Sequence, residues 1–274
     1  MNNPDRTRYL PDRERLSVLT AVILLAYALT RIVVFPTRLF DIQLPGAYFA
    51  ITLDFNLLVT VLVAGLTATG AAWLMRDHPA LQGGVGTFQH WILPSLTALV
   101  IGIPLAQMPF GVSWWLGLFI GAGLLILVVI AEYIVIDDQD IRQPLAAAGL
   151  SAVSLALYLV LIVTLKSTGV RLFIIMPIIA LGSWMVSIRV MHLRLHGERA
   201  VIEAGVIALV AMQVGAGLHY WPLEPISYGL LLLGVTYSLT GFFCSLIEEK
   251  PFPQAIREPA LAFLLTWGAG LWIF

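Results

Sequence analysis

Charged residues are scarce in this sequence. Aspartate, glutamate, lysine and arginine make up 11% of the 274 residues, whereas hydrophobic residues make up 59%. A soluble domain carries about 25% charged residues, so this chain has too few charges to cover a surface that faces water. We therefore expect lipid to surround most of it. The formal net charge of −1 offers no basic surface for nucleic acid, and we expect no such partner.

The sequence has a single cysteine and lacks several common catalytic motifs. Cys244 is the single cysteine, so the chain cannot form an intramolecular disulfide. The sequence contains no phosphate-binding loop, dinucleotide fingerprint, GxSxG nucleophile elbow or CxxC pair. These absences argue against the enzyme classes that depend on those motifs. We expect no cofactor, apart from the Mg²⁺ of one alternative given below.

Long apolar runs dominate what is present. A helix needs about 20 apolar residues to cross a bilayer, which predicts an all-α, polytopic transmembrane helix bundle of nine spans, or of eight because the last run is short. The predicted spans are residues 16–35, 56–75, 89–108, 113–136, 144–165, 171–194, 199–218, 226–247 and 257–273. No linker or repeat divides the chain. We therefore predict a single transmembrane domain over residues 16–274, after a polar cytoplasmic segment over residues 1–15.

Residues 38–54 break the helical pattern. Their polarity alternates in part and they turn at Pro45-Gly46, which predicts a short β-hairpin, with a re-entrant loop as the alternative.

The distribution of basic residues predicts how the chain is oriented in the membrane. With a cytoplasmic N-terminus, ten of them fall in inner segments and three, Arg38, Lys166 and Arg171, in outer segments. Positive residues collect on the cytoplasmic side, so we expect the hairpin to be extracytoplasmic.

Three runs of the sequence, taken together, resemble a known family. They are RDHP…HWILPSLTALVIG (76–102), AEYIVIDDQD (131–140) and LHYWPL (218–223). The chain is similar, from about residue 38 onward, to an uncharacterised family of bacterial multi-span membrane proteins, a domain of unknown function. The resemblance implies a multi-pass protein of the bacterial cell inner (plasma) membrane. It implies no activity.

Three ionisable residues lie about one helical turn inside the predicted cytoplasmic edge. They are Glu132, Arg189 and Glu203, on the fourth, sixth and seventh spans. A charge inside the hydrocarbon is costly and indicates a functional site by default. Their equal depth predicts an intramembrane charge cluster that could bind a cation or hold a proton. The alternatives are that each side chain reaches water separately, or that the three only tie the bundle together.

The aspartates that follow the fourth span form a second candidate site. Asp137, Asp138 and Asp140 come after a helix C-terminus, where the helix dipole disfavours acids, so they need a cation. That cation could be Arg142, an arginine from another inner loop, or Mg²⁺, which binds carboxylates together with a substrate phosphate. The alternative is structural, with Asp140 capping the next helix and Gln143 completing a capping box.

We therefore expect a non-enzymatic membrane protein: a small permease-like, lipid-binding or accessory component. Its partners would be membrane lipids and a membrane protein that the sequence does not identify. The alternative is a membrane-embedded enzyme acting on a phosphorylated lipid or prenyl diphosphate at the cytoplasmic face. That enzyme would use the three aspartates, nearby basic residues and Mg²⁺.

Overall fold

The computed structural model describes residues 11–32, 38–44, 47–53, 55–76, 78, 88–137, 140–195 and 200–273. Two compact units make up the chain, Met1–Asp140 and Ile141–Phe274. The single transmembrane domain predicted over residues 16–274 stays a prediction. So does the cytoplasmic placement of residues 1–15, of which the first ten lie outside the described residues.

Helices make up most of the described residues. The nine found there are α1 (Arg13–Ile32), α2 (Phe55–Met75), α3 (Phe88–Gln107), α4 (Val112–Val135), α5 (Gln143–Ser167), α6 (Leu172–Arg194), α7 (Val201–His219), α8 (Pro225–Ile247) and α9 (Phe252–Trp272). Each begins and ends within five residues of a predicted span. The fold class is therefore all-α, as predicted.

Seven of the described helices, α2 to α8, are long and apolar enough to cross a membrane. Each holds between 18 and 25 residues in its apolar run, which matches the thickness of the hydrocarbon core. The length and composition of these helices therefore indicate a multi-pass membrane protein.

Two strands occupy the segment for which the sequence predicts a hairpin. β1 (Arg38–Leu44) pairs antiparallel with β2 (Ala47–Leu53), so that Arg38 lies opposite Leu53 and Leu44 opposite Ala47. The predicted turn at Pro45-Gly46 lies outside the described residues. The pairing is local, because only two positions separate the strands.

Close helix packing holds the first unit together. α1 packs against α2 and α4, and α3 also packs against α2 and α4. A Cβ atom at Gly102 would lie 2.6 Å from Cγ2 of Thr60 and 2.9 Å from Cε1 of Tyr27. The missing side chain therefore lets α3 approach both neighbours, as small residues do in lipid. At the same contact the Tyr27 hydroxyl donates a hydrogen bond to the carbonyl of Ala98.

Buried hydroxyl groups link three helices of the second unit. The Tyr158 hydroxyl on α5 lies 2.8 Å from Oγ of Ser183 on α6, and Thr236 on α8 donates to it at 3.3 Å. Thr240 Oγ1 lies 3.1 Å from Oγ of Ser187. Water cannot satisfy polar groups within the hydrocarbon, so these side chains are satisfied by one another.

Helix α9 completes the second unit by packing against α8. Trp267 Nε1 donates a hydrogen bond to the carbonyl of Leu231 at 3.1 Å. A Cβ atom at Gly234 would lie 2.2 Å from Oγ1 of Thr266. Gly234 therefore provides the gap on α8 into which α9 fits.

Candidate functional site

Glu132 lies in a buried pair in the first unit. It sits in the last turn of α4 and is fully buried, and its Oε2 lies 3.2 Å from Nδ1 of His90 in the first turn of α3. These two turns meet because α3 and α4 are antiparallel neighbours joined by a short connection. A buried carboxyl group is costly unless another group forms a hydrogen bond with it or compensates its charge. His90 therefore provides a polar partner for the buried side chain of Glu132.

A second histidine lies close to this pair. The ring of His78, which follows α2, packs edge-on against Tyr133 with 4.5 Å between ring centroids. Burial lowers the pKa of His78 below its ordinary value of 6.5, the charge of Asp137 opposes that effect, and His90 adds to it. His78 therefore gains its proton at lower pH than a histidine in water.

Arg189 and Glu203 lie on adjacent helices of the second unit. Arg189 on α6 is 1% exposed, and Glu203 is half-buried in the first turn of α7. No ion pair joins these two side chains among the contacts of the described residues. Glu132 belongs to the first unit, so the predicted cluster of Glu132, Arg189 and Glu203 stays a prediction.

Asp137 and Asp140 of the aspartate cluster lie at the end of the first unit, and Asp138 falls outside the described residues. The amide of Asp140 donates to the carbonyl of Asp137 at 3.1 Å, so a tight turn follows α4. α5 begins at Gln143, with Arg142 at its N-cap position and no side-chain cap hydrogen bond. The proposed cap at Asp140 is therefore wrong, because the helix starts two residues later than that cap requires.

The strongest ion network of the second unit joins the C-terminal ends of α6 and α8. Arg194 Nε lies 2.8 Å from Oε1 of Glu248, and Arg194 Nη2 lies 3.1 Å from Oε2. Lys250 Nζ contacts the same carboxylate at 2.6 Å, and Ser245 Oγ lies 3.4 Å from Arg194 Nη2. α6 and α8 run parallel because α7 returns between them, so their C-termini share one end of the unit. We name this end the Arg194 edge.

Two cations share one carboxylate in this network. Hydrogen bonding by Arg194, followed by Lys250, holds the pKa of Glu248 at about 2, well below its ordinary value of 4.5. Glu248 is therefore ionised across the physiological range, and the three side chains carry a net charge of +1. A bidentate arginine–carboxylate contact also fixes the guanidinium plane.

A shallow cleft lies beside this network. Val190 and Arg194 of α6, Tyr237, Thr240, Gly241 and Cys244 of α8, and Glu258 and Pro259 of α9 line it. We name it the Arg194 cleft. It is open to its surroundings, since Tyr237 and Glu258 are both exposed. Arg194 uses Nε and Nη2 to bind Glu248, and no hydrogen bond from Nη1 is found among the described residues.

The first unit has a cavity of a different kind. Its lining is almost entirely apolar and includes Leu24, Ile101 and Leu125. It contains no charged side chain, whereas the Arg194 cleft combines a cation, an acid and hydroxyl groups. The cleft is therefore the better candidate for binding a polar ligand.

Sequence reasoning missed the Arg194–Glu248 contact. The signal was present, because opposite charges end the sixth and eighth spans and a bundle brings alternate helix ends to one side. Among the described residues, no group of three His, Cys, Asp or Glu side chains is placed to hold a metal ion.

A family of known sequences matches most of this chain. The model of the family described as "Protein of unknown function (DUF5656)" matches residues 35–273. No curated protein and no solved structure matches the chain.

Proposed function

The chain belongs to the DUF5656 family of proteins of unknown function, and we propose that it is a non-enzymatic, lipid-binding membrane component. The lipid headgroup enters the Arg194 cleft. One observation carries the proposal: Arg194, whose Nη1 makes no hydrogen bond within the described part of the chain, lines an open cleft at the end of apolar helices.

The depth of the cleft supports a lipid ligand. Arg194 is the last residue of α6, and Glu248 follows the last residue of α8. The ends of helices that span the hydrocarbon lie at the level of the lipid headgroups. A cleft at this depth meets the phosphate of a lipid, while its acyl chains run along the apolar surface of the bundle.

The chemistry of the lining supports the same ligand. Guanidinium groups are the preferred protein partners of phosphate, because their N–H donors match its oxygens. Glu248 holds Arg194 in place through two hydrogen bonds, so little side-chain entropy is lost when a phosphate arrives. The exposed Tyr237 also lines the cleft and adds a hydroxyl donor to it.

Filling the cleft tests the proposal without changing any charge. A Cβ atom at Gly241 would lie 3.5 Å from Cγ of Pro259, which is ordinary contact. Gly241→Ala is therefore tolerated, whereas the larger side chain of Gly241→Leu occupies the cleft. Native mass spectrometry of the purified protein with dioctanoyl phospholipids measures the lipid bound.

We expect Gly241→Ala to bind lipid like the wild type and Gly241→Leu to bind at least about tenfold less, a loss of about 1.4 kcal/mol. Equal lipid binding by both variants would show that lipid does not occupy the cleft. Thermal unfolding of the apo proteins provides the control, since a matched loss of stability would make Gly241→Leu uninformative. Tyr237→Phe, which removes an exposed hydroxyl from the lining, is then the second variant, and it must also weaken binding.

We further infer that the N-terminus is cytoplasmic and the membrane is a bacterial inner membrane. In this orientation α1 and α9 cross as well, giving nine spans, and the strands β1 and β2 lie on the outer face. The basic residues of the inner segments support it. A periplasmic-type reporter fused after residue 274 should be active, and activity of a cytoplasmic reporter there would contradict the nine-span arrangement.

A further inference from the structure

We infer that the Arg194 cleft selects a headgroup that carries both a phosphate and a protonated primary amine, as phosphatidylethanolamine does. The inference rests on the proposed function and names its ligand class. It follows from the presence of Glu258 in the lining, on the α9 side and opposite the α6 side that supplies Arg194.

Arg194 provides the phosphate half of the site. Its Nε and Nη2 atoms are committed to Glu248, which leaves the Nη1 donors for a ligand oxygen. Ser245 lies against Nη2 rather than Nη1 and does not compete for those donors. The fixed guanidinium can therefore donate a hydrogen bond to a phosphate oxygen without breaking its contact with Glu248.

Glu258 provides the amine half. It is exposed on α9 and lines the cleft, close enough to Arg194 for their charges to interact. No hydrogen bond or ion pair from Glu258 is found in the part of the chain that the structure describes. A carboxylate in this state is an acceptor for the three N–H donors of a primary ammonium.

The charge balance favours a zwitterion over a plain anion. Arg194, Lys250, Glu248 and Glu258 sum to zero, so an anionic headgroup gains from Arg194 but is repelled by Glu258. A quaternary ammonium, as in phosphatidylcholine, has no N–H to donate. A phosphate joined to a primary amine by a two-carbon linker satisfies both sides.

The test compares three short-chain lipids on the full-length protein in nonionic detergent. Dioctanoyl phosphatidylethanolamine, phosphatidylcholine and phosphatidylglycerol are titrated, and native mass spectrometry gives the affinity for each. We expect the wild type to bind phosphatidylethanolamine about two- to fivefold more tightly than either other lipid, the range of a partly exposed charge pair. Glu258→Gln should remove this preference. Glu249→Gln, which removes an exposed acid outside the cleft lining, should keep it.

The outcomes separate the inference from the proposal beneath it. If Gly241→Leu prevents binding but Glu258→Gln leaves the order of affinities unchanged, lipid occupies the cleft and the amine-selective inference is wrong. If Gly241→Leu leaves binding unchanged, the proposed function itself fails. The last measurement is the affinity of the protein for soluble O-phosphoethanolamine, which has the headgroup but no acyl chains. Affinity equal to that of the lipid would identify a water-soluble ligand and overturn the lipid assignment.

Discussion

The two units differ in where they hold a pair of acidic and basic side chains, although unit 2 also encloses one ionisable side chain, Arg189. Unit 1 encloses ionisable groups, with Glu132 fully buried against His90 and with His78 buried beside them. Unit 2 encloses hydroxyl groups around Tyr158 and places its Arg194–Glu248 contact at a partly exposed end. An enclosed charge supports stability only while its partner is present, whereas a charge at the edge remains available to a ligand. The comparison therefore supports the proposal that unit 2 binds a ligand, and it separates a buried pair in unit 1 from a partly exposed pair in unit 2.

The largest test of this comparison removes the buried charge of unit 1. We expect Glu132→Gln to lower the free energy of unfolding by about 3 kcal/mol, since breaking a buried pair typically costs about 3–5 kcal/mol and glutamine keeps one hydrogen bond. Thermal unfolding in detergent measures it. Glu248→Gln provides the counterpart in unit 2, and we expect it to cost less than about 1 kcal/mol because the pair is partly exposed. Equal losses would erase the distinction between the units.

A medium effect is expected from the hydroxyl groups of unit 2. Tyr158→Phe removes the hydroxyl shared by Ser183 and Thr236, and we expect a loss of about 1 kcal/mol, as for interhelical hydrogen bonds in membranes. The matched control is Tyr220→Phe, at an exposed position, which should have no effect. Unchanged stability of Tyr158→Phe would mean that apolar packing alone holds α5, α6 and α8 together.

The smallest expected effect is the change of stability with pH. It sharpens the comparison because each unit has its own pH range in which stability changes. The pKa of His78 is lower in the folded protein than 6.5, so the unfolded chain binds the proton first and stability falls as pH drops below 6.5. The pKa of Glu248 is about 2 against an ordinary 4.5, so its contribution is present above pH 4.5 and disappears as pH falls toward 2.

Unfolding midpoints measured across both pH ranges check this assignment. His78→Gln should flatten the dependence just below pH 6.5 and leave the acidic range unchanged, whereas Glu248→Gln should do the reverse. A single variant that flattens both ranges would contradict the separation of the two sites.

The sequence predicted the helices well for a physical reason. Every span must satisfy its backbone internally in lipid, so an apolar run of about 20 residues has few structures other than a helix. The ends of α4 and α8 fall within one residue of the predicted limits. Membership of an uncharacterised family, indicated by three short runs, is also confirmed.

The candidate site was less predictable, because it depends on which helix faces meet. Glu132 was identified from its depth, but its contact with His90 requires the rotation of α3 about its axis, which an apolar sequence leaves open. Arg194 and Glu258 are 64 positions apart, and only the packing of α6, α8 and α9 brings them to one cleft. A hydrophobic pattern fixes where a helix crosses but constrains its facing direction weakly when all sides are apolar.

The hydroxyl groups of unit 2 also affect how the chain enters the membrane. Ser154 donates to the carbonyl of Leu150 at 2.7 Å, Thr164 to that of Val160 at 2.7 Å, and Thr240 to that of Thr236 at 2.7 Å, each four residues earlier in the same helix. A helix that satisfies its own hydroxyls carries no exposed donor into the lipid. These three hydroxyl groups are therefore satisfied before the neighbouring helices exist, whereas those of Tyr158 and Thr236 gain their partners only when α5, α6 and α8 associate, which is a later step of biogenesis.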